Sequence, residues 1–337
     1  MRWLLRVVVA LLLFIVVAAG FLLYTIRRSF PQISSEIRVS GLSEPVEVIR
    51  DRFGVPHIYA SNSNDLFFAQ GYIHAQDRFW QMDVWRHTGA GRLSEMFGAS
   101  LMETDKILRT LGWAKVVRKE VEQLDPISRG ILESYTQGVN AYLANRSAGA
   151  LSFEYALLSI QNRHYKPEPW EPLDSLVWGK VMAWDLAGNM DMEIYRALLL
   201  KKFSIAQVEE IIPPYPTDRP LILPFVGAHG VRPQASGAIA FELQGARRAP
   251  LRAATPLRVE REGVGSNNWV IAGNRTSSGK PFLCNDPHLG TQMPSIWYEV
   301  ALHCTSKSGK CPYEVMGFSF AGTPGVIIGH NDRIAWG

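Results

Sequence analysis

The sequence has 337 residues, 47% of them hydrophobic and 20% charged, with 28 Gly and 20 Pro. That composition is ordinary for a globular chain of about two domains and excludes a disordered, collagenous or coiled-coil protein. A formal net charge of +4, with no basic stripe and no interleaved aromatics, argues against a nucleic-acid partner.

The first element is apolar. Residues 7–26 are 20 consecutive uncharged positions, bounded by Arg2 and Arg6 before and by Arg27 and Arg28 after. The run is long enough to cross a bilayer and exceeds the ~7–15 apolar residues of a signal-peptide core, so it predicts an uncleaved membrane anchor over 1–29. A buried core helix is disfavoured by the length and by the lack of a polar face. The flanking arginines are nearly balanced and set no orientation. With the bulk of the chain behind the anchor, the expected arrangement is an inner-membrane anchor with the body on the periplasmic or extracellular side.

Short strands come next. Val46, Val48 and Ile49 lead to a turn at Asp51-Arg52-Phe53-Gly54, followed by Val55-Pro56-His57-Ile58-Tyr59. From Asn64 the period changes: Phe68, Tyr72, Ala75, Phe79 and Met82 recur at alternating four- and three-residue spacing, which predicts an amphipathic helix. Asn62, Ser63 or Asn64 can cap its start, and it should end near Gly89-Ala90-Gly91. Further helical patterns run over 127–143 and, after a Pro-rich turn at 166–172, from 173 to about 203. The region 30–234 is thus mainly helical. Residues 213–262 carry eight prolines with little periodicity, and 235–265 reads as a linker or an exposed processing segment. Beyond Asn267 the pattern is of strands, at 269–272, 280–284, 296–303, 313–320 and 325–328. The class is α+β, in layers.

Three cysteines exist, Cys284, Cys304 and Cys311. The last two bracket a polar loop between two strand-like runs, a hairpin whose facing cysteines can be bridged in an oxidising compartment. Two unpaired thiols at strand ends are the alternative, and Cys284 is expected to be a small buried hydrophobe either way. Residues 331–337 stop in what reads as the next strand, which predicts a C-terminally truncated chain.

The chemistry centres on Gly265-Ser266-Asn267-Asn268-Trp269, where the linker meets the first late strand. Around it, in order, stand Asp51-Arg52-Phe53-Gly54-Val55-Pro56-His57-Ile58, Ala69-Gln70-Gly71-Tyr72-Ile73-His74-Ala75-Gln76-Asp77-Arg78, Gly91-Arg92-Leu93-Ser94-Glu95 and Met182-Ala183-Trp184-Asp185-Leu186. After the junction come Asn285-Asp286-Pro287-His288-Leu289, Trp297-Tyr298-Glu299 and Gly325-Val326-Ile327-Ile328-Gly329-His330-Asn331. From about residue 40 onward the sequence resembles the penicillin acylase family of N-terminal-nucleophile (Ntn) hydrolases, which includes penicillin and acyl-homoserine-lactone acylases.

The serine's chemistry follows without the family. A hydroxyl is a weak nucleophile and needs a base within hydrogen-bond reach. An α-amine, with a pKa of about 7.7–8.0, is partly neutral near neutral pH and can take that proton, whereas a peptide nitrogen cannot because its lone pair is delocalised. Cutting Gly265–Ser266 therefore creates nucleophile and base in one residue. A turn or cap serine before a strand is the bland alternative.

The resemblance implies the rest. It implies an αββα sandwich, self-cleavage at Gly265–Ser266 into an α/β heterodimer, and hydrolysis of a small N-acyl amide such as a penicillin or an acyl-homoserine lactone. Residues 266–337 would begin the nucleophile-bearing chain. His288 is expected to orient Ser266, Asn268 to support the loop near the new amine, and Leu186, Ala187 and Met190 to contact the acyl group. Glu193 aligns with a ligand of a structural calcium, while the partner aspartates and the oxyanion donors would lie beyond Gly337. No organic cofactor is expected, and His57, His74, His87 and His330 lack a metal-ligand spacing. A non-catalytic, membrane-tethered binding protein of the same fold is the competing reading.

Overall fold

The computed structural model describes residues 2–144, 146–186, 190–214, 265–306 and 311–337; for Met190, Asp191 and Gly265 it describes the backbone alone. Ala187 and residues 235–264 of the expected linker lie outside the described residues. By its contacts the chain divides into one unit of Met1–Leu186 with Leu257–Gly337 and a second of Ala187–Pro256.

In the first unit, α1 (Arg2–Arg28) is a single helix with no buried residue, long and apolar enough to cross a membrane. A short antiparallel pair follows, β1 (Glu47–Arg50) and β2 (Pro56–Ala60). Asp51 makes their turn: its Oδ1 accepts from the Phe53 and Val55 amides at 2.8 and 2.9 Å, which is why an aspartate opens the tight connection.

α2 (Ser63–Ala90) begins and ends where the sequence predicts. The Asn62 side chain accepts from the Asp65 amide, and Gly91 closes the helix in the left-handed conformation at φ 64°. Its apolar stripe faces the core as expected, with Phe79 and Met82 almost fully buried. The opposite expectation, a solvated polar face, does not hold. Gln70, His74, Asp83, Arg86 and His87 are buried too, because other elements cover α2 on several sides.

The helices after α2 are α3 (Leu93–Phe97), α4 (Met102–Leu111), α5 (Trp113–Gln123), α6 (Pro126–Leu143), α7 (Ala148–Leu151), α8 (Phe153–Gln161) and α9 (Pro172–Leu186). α6 crosses α2 with glycines at the contact. A Cβ on Gly71 would fall 2.1 Å from the Tyr135 carbonyl oxygen, and one on Gly138 would fall 1.8 Å from that of Phe68. In the second unit lie α10 (Met190–Leu199) and α11 (Ile205–Ile211), the latter opened by a Ser204/Gln207 capping box. The helix read from 173 to about 203 is therefore described as α9 and α10.

The late strands are β3 (Gly265–Ile271), β4 (Phe282–His288), β5 (Trp297–Cys304), β6 (Glu314–Phe320), β7 (Ile328–His330) and β8 (Ala335–Trp336). A six-stranded sheet has the order β1-β2-β5-β6-β7-β8, and β3 pairs with β4 in a separate ribbon. Reading a helical half followed by a sheet half misses one link. β2 runs parallel to β5, with His57 opposite Ala301 and Tyr59 opposite His303, so the early strands complete the late sheet. The main core joins the sheet to α2 and α6 through Ile58, Val300, Leu302, Tyr135 and Val139. A second cluster sets Trp178 and Val181 of α9 against Trp297 and Phe320. Cys304 and Cys311 are disulfide-bonded across the β5–β6 connection, with Cα atoms 5.5 Å apart. Cys284 is half-buried on β4, not fully buried as its residue type suggests.

Candidate active site

Ser266 is the second residue of β3, exposed, and the Gly265–Ser266 bond is the first peptide of that strand. The antiparallel ladder sets Gly265 opposite His288, Ser266 opposite Pro287, Asn267 opposite Asp286 and Asn268 opposite Asn285. Successive side chains of a strand point to opposite faces, so Ser266, Asn268 and Asn285 share one face while His288 and Asp286 share the other. The contacts agree. Asn268 donates from Nδ2 to Asn285 Oδ1, and His288 Nε2 stands 3.5 Å from Asp286 Oδ2.

Two features of this ribbon differ from the sequence reading. The strand read at 280–284 runs on to His288, and His288 comes nearest the Gly265–Ser266 bond through its main chain, since its imidazole projects on the face away from the serine. Asn285 carried no role in the sequence reading, yet it is the partner of Asn268. It also meets the end of the six-stranded sheet: a Cβ on Gly337 would fall 1.7 Å from Asn285 Oδ1. The backbone of Gly337 thus lies beside the serine-bearing face of the ribbon. The period-2 pairing of Asn268 with Asn285 was legible only once the β3–β4 register was known.

The other expected site residues sit elsewhere. Leu186 ends α9 with its side chain exposed, Met190 opens α10 in the second unit, and Ala187 lies outside the described residues. Glu193 is exposed on α10. Among the described residues no three His, Cys, Asp or Glu side chains converge on a metal-sized site. A calcium ion takes about six to eight oxygens, so the residues present do not fit one.

The motif residues away from the junction build the scaffold. Gln70 exchanges two hydrogen bonds with the Gly325 main chain, each 2.9 Å, tying α2 to the loop before β7. His74 contacts the Tyr135 hydroxyl through Nδ1 at 2.8 Å and the Ser319 hydroxyl through Nε2 at 3.1 Å. Burial, helped by the Arg78 charge, pushes the His74 pKa down to about 3, so this is a neutral structural histidine. Ser319 and His74 are both fully buried and present no face to a substrate. Asp77 binds both Arg50 guanidinium nitrogens, each at 2.9 Å, and accepts from the Tyr298 hydroxyl at 2.5 Å. Burial alone would raise Asp83, but the His87 hydrogen bond and the Arg86 charge outweigh it and hold its pKa at about 2.

Comparison with known proteins places these features among acylases. A family model described as Penicillin amidase matches residues 45–337. Penicillin acylase 2 proenzyme of Pseudomonas sp. (strain SE83) is 33% identical over 312 residues, covering 92% of this chain and 38% of that protein. Acyl-homoserine lactone acylase QuiP of Pseudomonas aeruginosa is 34% identical over 312 residues, covering 92% of this chain and 34% of that protein. The chain thus spans little more than a third of the length of these curated relatives. A thermostable penicillin G acylase from Alcaligenes faecalis superposes with a TM-score of 0.45 at 28% identity, covering 53% of this chain and 97% of that one.

Proposed function

Because the chain belongs to the penicillin amidase family, whose members are hydrolases of amide bonds, we propose that it carries the nucleophile of a self-processing N-terminal-serine acylase. In the first step the Ser266 hydroxyl attacks the Gly265 carbonyl. The chain shifts from nitrogen to oxygen, and water hydrolyses the resulting ester to leave two chains and a free Ser266 α-amine. In catalysis that amine accepts the hydroxyl proton as Oγ attacks the substrate carbonyl, then passes it to the departing amine. Water releases the acyl group by the same route in reverse roles. The acylated substrate is an N-acyl amide of the kind the relatives' names indicate, a penicillin or an acyl-homoserine lactone.

The observation that carries this reading is the exposed Ser266 directly after Gly265 in β3, on the ribbon face that also presents Asn268, Asn285 and the approach of Gly337. Asn268 and Asn285 brace each other and fix that face. His288 positions the bond through its main chain opposite Gly265. Leu186, Ala187 and Met190 are the proposed acyl contacts, and the six-stranded sheet would form an inner layer of an αββα sandwich. α1 would anchor the protein in the inner membrane with the body outside the cytoplasm.

The test is release of free amine from N-acyl amides by the natural protein and by its Ser266→Ala variant. Loss of release in the variant to the uncatalysed background is expected. Release at the natural rate would overturn the reading.

A further inference from the structure

α1 does not part from the folded body at its last residue. Phe21, Tyr24 and Arg28, spread over two turns of its C-terminal end, line a cavity of about 260 Å³ whose far wall includes Ala148 of α7 and Ala156 and Ser159 of α8. Arg28 also donates to the Ser147 hydroxyl just before α7. Seven residues of helix rise about 10 Å, so Phe21 lies that far from Arg28 along the axis. A span that keeps Arg27 and Arg28 among lipid headgroups therefore brings α8 down to the headgroup level or below it.

The surface of α8 suits that depth. Tyr155 and Leu158 are buried, but Leu157 is 51% and Ile160 76% exposed. Glu154 is the one charged residue in the helix, and it accepts from the Ser152 hydroxyl. The segment leaving α1 is also apolar and open, with Phe30 and Ile33 each 65% exposed, and Ile33 shares a second cavity with Leu151 and Phe153. Exposed cations flank the patch: Arg27 and Arg28 on α1, Arg146 before α7, and Arg163 and Lys166 after α8.

We propose that α8, with Phe30 and Ile33, is a second membrane contact lying in the plane of the bilayer, its apolar edge among acyl chains and the surrounding cations on anionic lipid phosphates. The contact is continuous with α1, and its charge is complementary to such lipids. It rests on the reading of α1 as a retained membrane span, and it fixes how the body stands on the membrane.

The test places nitroxide labels at Ile160→Cys, Leu157→Cys, Leu12→Cys and Lys106→Cys, each in the full chain carrying Cys284→Ser and reconstituted in phosphatidylethanolamine/phosphatidylglycerol vesicles. Collision with oxygen and with an aqueous nickel chelate is measured at each label. Labels at 157 and 160 are expected to show a several-fold higher oxygen-to-nickel ratio than the aqueous reference at 106, approaching the label at 12. A ratio equal to that at 106, with the label at 12 still in lipid, overturns the in-plane contact and spares the anchor. Low collision with both reagents at 157 and 160 means that protein covers the patch, and also overturns it. An aqueous signal at 12 overturns the anchor reading and the contact together.

Discussion

Gly265 stands directly opposite His288 across the β3–β4 ladder, which sets the imidazole on the ribbon face away from the Ser266 hydroxyl. In the cleavage proposed above, His288 would act through its peptide group. In the natural protein, His288→Ala is expected to keep self-cleavage within about tenfold of the unsubstituted rate, a barrier change under about 1.4 kcal/mol. A time course of the two cleavage products on a denaturing gel measures it. A loss beyond about a hundredfold would mean that the imidazole itself acts on the serine.

The crossing of α2 and α6 leaves no room for a side chain at Gly71, whose absent Cβ would meet the Tyr135 carbonyl oxygen at 2.1 Å. Because the obstacle is backbone, one helix must move. Gly71→Ala is expected to cost about 2–3 kcal/mol of stability, read as a lowered denaturation midpoint at unchanged slope. An unchanged midpoint would contradict the close approach.

His74 gives the fold a pH dependence of definite sign. Its ordinary value is 6.5 and burial brings it down to about 3, so between those limits the unfolded chain holds a proton that the folded chain does not. Stability contributed by keeping His74 neutral is complete above 6.5 and falls as the pH drops, by about 1.4 kcal/mol per pH unit for this one group. Asp83, with an ordinary value of 3.8 and held at about 2, adds a further loss only as the pH falls from 3.8 towards 2. The proton resonances of the His74 ring should stay at their neutral positions from about pH 8 to 5. Titration of that ring near its ordinary value would show that it is open to water.

The sequence is most legible where local chemistry decides the outcome. Asn62 and Gly91 close α2 with a side-chain cap and a left-handed residue, and Asp51 makes its own turn, so those boundaries follow from residue type. Cys304 and Cys311 meet because β5 and β6 pair as adjacent strands. What escapes is what distant partners decide. The pairing of β2 with β5 joins residues more than two hundred positions apart, and no local pattern marks it. α4 and α5 are short helices punctuated by Gly112, which ends one and starts the other, and their period is too brief to read. Gln70, His74 and Asp77 carry the resemblance to acylases, but their work is structural, and only their contacts with Gly325, Ser319 and Arg50 reveal it. At the site, Ser266 stands out by its place after the Pro-rich stretch, whereas the roles of Asn285 and of the His288 main chain depend on a strand register that composition does not encode.

The most direct measurement is the N-terminal sequence of every chain present in the purified natural protein. The account predicts a chain that begins Ser266-Asn267-Asn268, absent from the Ser266→Ala variant. A protein that hydrolyses N-acyl amides while its only N-terminus lies ahead of Gly265 would contradict it.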